Sequence, residues 1–275
     1  MSRSRPRRRW LLLALTLVPG GSAVAAPVDP GAARLRDEAV ALIARDDAAS
    51  MGRALDLLGE AARAEPRLYQ ARADRTLAEL LEAAARRDEA TRLQSGEDLM
   101  RSGRELRERA LDGLRPLVRE HPADPAVVRA LAVYYGLDGN GEQAEKLVAR
   151  ARASGRVDPW IEFAELAARV RMADPRAALP LLEGFAASHP DLMRARMMLA
   201  RMQFDLQRVD DSLATIDALL AANSEHDSAK RLKAAILAPP PARLIVLPAP
   251  LDAPPPQRPG YLPRKPLQRS ANGSR

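Results

Sequence analysis

Leu131–Ala151, LAVYYGLDGNGEQAEKLVARA, decides what kind of chain this is. Its middle puts oxygen-bearing side chains at alternate positions, Asp138, Asn140 and Glu142, with glycines between them. Two structures could use such a segment: a calcium loop, or a turn between two helices. Counted from Asp138 as a calcium loop, the sixth position needs a glycine for the sharp turn and holds Gln143. The twelfth needs a bidentate acid and holds Ala149. The helical alternative accounts for every residue. Leu131, Ala132 and Tyr135 form an apolar stripe before Gly139, and Ala144 and Ala151 form another after it. Gly139 then turns the chain, and Glu142 falls in the first turn of the second helix, where negative charge is favoured.

Working outward, the second half of this segment recurs. RALDGLRPLVREHP, EQAEKLVARARASG, PRAALPLLEGFAASHP and DDSLATIDALLAANS align without gaps and place a small residue at Ala110, Ala144, Ala178 and Ser212, at one constant interval. Four positions beyond each lies an apolar side chain (Leu114, Val148, Leu182, Ile216), and three further another (Leu117, Ala151, Phe185, Leu219). An earlier copy supplies Ala54, Leu58 and Ala61, with Pro66 closing it as Pro122 and Pro190 close two later ones. A small residue lets two helices approach, while the larger ones fill the space toward the next pair. The rest of the region from residue 32 to 226 is rich in Ala, Leu, Arg and Glu at helical spacing, with no run of alternating β-branched residues.

This pattern resembles the tetratricopeptide repeat, a helix–turn–helix unit whose period of about 34 residues is the interval seen here. The resemblance implies an all-α fold, a right-handed superhelical solenoid of about five units, one of them with an extended hairpin. Single units cannot bury their apolar stripes, so several must stack. Two departures from the period carry further expectations. From Ala54 to Ala110 the interval is one period plus an excess of roughly 22 residues. Shared between two helices this adds about three turns to each. It predicts a long hairpin over 67–93 and 97–119, its tip near 94–103 and capped at Ser95 or Ser102; the alternative is a separate helix pair inserted between units. In the unit near Asp158, the stripe Trp160, Phe163, Ala164 and Ala167 predicts a first helix slid two positions toward the N-terminus, followed by a lengthened turn. Pro180 falls inside the second helix of that unit and should kink it. A closing helix is expected over 225–237, capped by Ser224.

The flanks differ from this body. Residues 1–25 hold five arginines, then the apolar run WLLLALTLV (Trp10–Val18), then small residues ending in AVA. That is the layout of a cleavable export signal, with PRRRWLL also resembling a twin-arginine signal; the alternative is an uncleaved N-terminus. A membrane span needs about 20 apolar residues, far more than this run offers, so no transmembrane segment is expected in the mature chain. Export past an inner membrane would place the protein in the periplasm. Residues 238–275 include 11 prolines and are expected to form an extended tail; its RLIVL segment (Arg243–Leu247) is either a strand for a partner or a short apolar spot in a linker.

The chain's net charge of +7 comes from these flanks. Each carries +5, which leaves −3 for residues 26–237. An acidic body lacks the basic stripe that nucleic acid requires. The absence of cysteine excludes disulfides and thiol chemistry. His121, His189 and His226 lack a second histidine at ligand spacing and sit at expected helix ends, so no metal, cofactor or catalytic residue is assigned. The acid pairs Asp46–Asp47 and Asp210–Asp211 belong at helix starts.

What remains is binding. The resemblance implies a concave groove lined by the first helix of each unit, and carried over by position this face takes in Arg129, Val133, Glu165, Arg169, Met197, Arg201 and Phe204. The arginines would meet acidic groups of a protein partner, and Met197 and Phe204 would give adaptable apolar contact. A non-enzymatic scaffold of an envelope assembly is the function these features imply. The alternative is binding of cell-wall glycan or polysaccharide by the basic, Pro-rich tail. The oligomeric state is left open.

Overall fold

The computed structural model describes residues 28–92, 96–156 and 158–238, and the regular elements among them are all α-helices. The export signal expected over 1–25 and the tail beyond 238 lie outside the described residues. The helices come in pairs: α1 (Pro30–Ala44) with α2 (Ala48–Ala64), α3 (Tyr69–Arg92) with α4 (Glu97–Glu120), α5 (Pro125–Asp138) with α6 (Gly141–Ala153), α7 (Pro159–Met172) with α8 (Pro175–Ser188), and α9 (Met193–Asp205) with α10 (Val209–Ala222). A last helix, α11 (Asp227–Leu237), packs on α10.

Asp–Pro dipeptides start four of these helices. Asp29, Asp124, Asp158 and Asp174 each accept hydrogen bonds from backbone N–H groups of the first turn, and the proline that follows fits the first helical position, where no N–H is needed. Asp47 caps α2 in the same way through Ser50 N at 2.8 Å. In the turn that decided the fold, Gly139 adopts φ 79°, left-handed backbone that suits glycine, and Asn140 caps α6 by accepting from Gln143 N.

The repeat period is written into the core. Ala54, Ala110, Ala144, Ala178 and Ser212 all have no exposed surface, and Leu58, Leu114, Val148, Leu182 and Ile216 are buried beside them. Ser212, the one polar member, donates to the carbonyl of Ala200 at 2.7 Å, so its hydroxyl is satisfied where α10 crosses α9. The chain is an all-α repeat solenoid. The first helices pack in succession, α1 on α3, α3 on α5 and α5 on α7, whereas the second helices pack mainly on the first helices around them. Helices that touch their counterparts in the next unit lie on the inside of the curve, so α1, α3, α5 and α7 form the inner face.

The extended unit is one long helix pair, α3 packed along α4. Its two helices have 24 residues each. They outrun the helices of the later units by about ten residues, which at 1.5 Å per residue extends them by about 15 Å. Ser95 lies outside the described residues. Ser102 does not cap the hairpin: its side chain lies inside α4 and donates back to the carbonyl of Leu99. Helix α4 starts instead at Gly96, with no side-chain cap.

The expected slip near Asp158 is overturned. Helix α7 starts at Pro159, one full period after α5 starts at Pro125, and α8 at Pro175, one period after α6 at Gly141. The turns between them, Gly139–Asn140 and Ala173–Asp174, are equally short. What shifted the apparent stripe is burial on nearly all sides. Trp160, Ile161 and every residue from Phe163 to Ala168 are buried, so the apolar pattern starts early without moving the helix. Helix α8 runs through Pro180 without interruption. Ser224 is likewise not the cap of α11. That place is taken by His226, whose Nδ1 accepts from Ala229 N at 3.3 Å.

The candidate partner-binding face

The inner face is a line of charges held against one another. Asp74 of α3 is fully buried and receives Arg36 of α1 at 2.7 Å and Arg129 of α5 at 3.0 Å. Arg129 also donates to Asp158 at 2.7 Å, the carboxylate that caps α7. Burial pushes the Asp74 carboxyl up, and the two guanidinium groups pull the other way. One acid thus ties three successive first helices, and its removal would strand two arginines.

A second group of contacts joins the two ends of the repeat array. Arg194, in the first turn of α9, donates to Asp46 at 2.7 Å and to the carbonyl of Leu81 at 2.8 Å. Asp46 lies in the α1–α2 turn at φ 50°, a conformation aspartate tolerates better than most residues, and this aims its carboxylate at Arg194. Burial works against the charge on Arg194, but Asp46 outweighs it and keeps the guanidinium protonated. Asn223, at the end of α10, donates to Asp47 at 2.8 Å and to the carbonyl of Arg45 at 3.2 Å. Arg201 reaches Asp88 at 3.8 Å, and Arg231 reaches Glu89 at 3.1 Å, so α9 and α11 both contact α3.

The expected groove residues therefore do different work. Val133 and Met197 are core residues with almost no exposed surface. Val133 lies in α5, which packs on α3 and α7, whereas Met197 packs with Ile216, Leu219 and Ala229 of α10 and α11. Arg129 and Arg201 are committed to acids of the same chain rather than left for a ligand. Glu165 is buried between Arg152 at 2.7 Å and Arg169 at 2.6 Å, and Arg169 is exposed. Phe204 is half-buried on α9. The residues that close the inner face, Arg36, Asp46, Asp74 and Arg194, were missed. The one available signal was their position in first helices and turns, which marks many other charged residues as well.

Among the described residues, a cleft of about 400 Å³ opens between α1, the start of α7 and the α8–α9 turn. Val40, Ala41, Ala44, Trp160 and Leu192 give it an apolar wall, and Arg129, Asp158, His189 and Asp191 a polar rim. His189 is held by Glu162 at 2.9 Å and lies against Phe185, so the rim is ordered by its own contacts.

His226 sits in the joint between the ends, fully buried, with Nε2 4.0 Å from Asp46. Burial pushes its pKa below the ordinary 6.5; Asp46 and Asp47 oppose that, and Arg201 adds to it. The folded state thus favours the neutral ring, so its contribution to stability is complete above about pH 6.5 and is lost as pH falls from there through the lower, folded-state value. Urea unfolding at about pH 7.5 and pH 5 should show the protein less stable in acid, and His226→Asn should flatten that dependence. Identical pH profiles for the two proteins would remove His226 as the cause.

Among the described residues, no group of three or more histidine, aspartate or glutamate side chains is placed to hold a metal ion. No described helix is long and apolar enough to cross a membrane. No curated protein matches the chain. Residues 169–236, which run from the end of α7 into α11, match the family model described as tetratricopeptide repeat. The chain thus carries a tetratricopeptide repeat region over these residues, within an array of five stacked helix pairs.

Proposed function

We propose that this protein is a non-enzymatic scaffold of a bacterial envelope assembly, exported to the periplasm, that binds a protein partner at the inner-face cleft. Tetratricopeptide repeats are protein–protein interaction modules, and the match over residues 169–236 supports that much of the reading. The observation that carries the choice of surface is the cleft itself. There apolar side chains, Val40 and Ala41, still meet solvent beside charges, whereas Asp74 and Asp46 elsewhere on this side are closed off by internal ion pairs. A mixed wall and rim of this kind suits a peptide or helix end rather than a small polar substrate. The projecting hairpin offers a second surface for the same partner. Export is supported by the arginine-rich start, apolar run and AVA segment of residues 1–25.

A photo-crosslinking residue placed in cells at Val40 or Asp191, at the cleft, or at Arg101, near the hairpin tip, is expected to capture the same small set of proteins. Placed at Glu60, on the exposed outer side of α2, it should not. Capture from the cleft no greater than from Glu60 would overturn the assignment of the surface. Fractionation of cells carrying the tagged chain tests export separately, and a protein retained in the cytoplasm would overturn that part.

A further inference from the structure

The overhang of the long hairpin creates a second cleft, on a different side of α3 from the acids that face α9. The last turn of α5 ends against the middle of the hairpin, and an opening of about 80 Å³ remains between Leu80 and Ala84 of α3, Met100 and Gly103 of α4, and Leu137 of α5. Its floor is apolar and holds room for one aliphatic side chain. Gly103 helps to make it: a Cβ there would come within 3.2 Å of the Ala83 carbonyl, so the two long helices approach closely below the opening. Met100 stands partly exposed at its edge.

The rim is cationic. Arg87, Arg104 and Arg107 line it beside a single acid, Asp138. Arg107 is paired with Asp138, donates to the Tyr134 hydroxyl at 3.3 Å and lies over that ring at 5.4 Å. Arg87 donates to the Leu137 carbonyl at 3.3 Å and stands 3.7 Å from Asp88. Arg171, at the end of α7, lies alongside Gly139 and adds a fourth guanidinium. Burial, then the charge of Arg171, pushes the Arg87 pKa down, and Asp88 and Asp138 only work against this. Arg104 and Arg171 are exposed and make no ion pair among the described residues. Four arginines therefore surround an apolar floor whose rim holds one carboxylate, Asp138, since Asp88 also pairs with Arg201 of α9.

We infer that this cleft docks an acidic segment of a partner protein, with one aliphatic side chain seated on the floor and flanking carboxylates paired with Arg104, Arg87 and Arg171. The chain's own flanks are excluded as occupants by charge, since residues 1–25 and 238–275 each carry +5. A bare polyanion would satisfy the arginines and leave the apolar floor open to water, so a peptide that supplies both groups fits better.

The test uses the full helical protein and a fluorescein-labelled Glu-Asp-Leu-Asp-Glu peptide, followed by anisotropy at low salt. Saturable binding is expected. It should weaken about tenfold or more in the Arg104→Glu, Arg171→Glu double variant, because two attractive contacts become repulsive. Changing the peptide's leucine to serine should weaken it similarly, and Val40→Arg at the other cleft should leave it unchanged. Both arginines are exposed, so the double variant should melt like the parent; should it not fold, Arg104→Glu alone serves, with a smaller expected loss. The inference fails if the peptide does not saturate below about 1 mM. It also fails if charge reversal has no effect, or if the serine peptide binds equally well, which would indicate bare polyanion attraction. None of these outcomes bears on crosslinking from Val40 or Asp191, so the two proposals stand or fall apart.

Discussion

Arg194→Ala is expected to lower folding stability by about 3–5 kcal/mol, because it leaves a buried carboxylate without its partner. Asp46 is almost fully enclosed, and Arg194 is its closest cation at 2.7 Å. The same change frees the Leu81 carbonyl, which accepts from the second guanidinium nitrogen. Asp46→Ala should cost a comparable amount by stranding Arg194. The double variant should cost less than the two single changes together, since neither charge is then left alone. Urea unfolding of the four proteins closes this cycle. Costs that simply add would mean the two side chains do not act as a pair, and a loss below about 1 kcal/mol for either would place them at a solvated surface.

Gly136→Ala should destabilise the protein by about 1–3 kcal/mol, although alanine is the better helix former. At Gly136 a Cβ would lie 2.4 Å from the carbonyl oxygen of Ala164 and 3.0 Å from its Cα. The obstacle is backbone of α7, so no side-chain rotation relieves it, and α5 and α7 would have to separate where they pack most closely. Gly184→Ala is the control. Gly184 also lies inside a helix, α8, yet nothing stands within 4 Å of its Cβ position. There the substitution should stabilise by about 0.5–1 kcal/mol through helix propensity alone. Thermal melts of the two variants should shift in opposite directions. A shift of the same sign in both would show that the α5–α7 approach is not limited by Gly136.

How far the sequence revealed this molecule depends on the range of the interaction. Contacts inside one repeat were legible, because a constant period and helical spacing together specify which side of each helix is covered. Ala110, Ala144, Ala178 and Ser212 were assigned to the core on that basis and are buried. The long hairpin was legible for the same reason, since whole added turns keep an apolar face in register. Two things escaped. The all-round burial of α7 disguised its start, because periodicity carries no phase information when every face is apolar. The inner face escaped more completely: Asp46 and Arg194 are 148 residues apart and belong to different units, so no repeat spacing relates them. Arg129 and Arg201 were correctly placed on first helices, but acids of α3 claim them both, and sequence spacing does not reveal how far the array curls.

The joint made by Arg194, Asn223 and His226 against residues 45–47 has a consequence for ancestry. An open repeat array can gain or lose a unit by duplication or deletion at small cost, because each unit answers only to its neighbours. Here the first turn and the last two helices must arrive at the same place. A sixth pair, or a missing one, would carry α9–α11 past Asp46 and leave buried charges on both sides of the break. A change in the number of units would therefore have to be accompanied by the loss or rebuilding of this joint. Its long hairpin is freer, because beyond Glu89, where Arg231 of α11 reaches it, whole turns can be added without disturbing the joint.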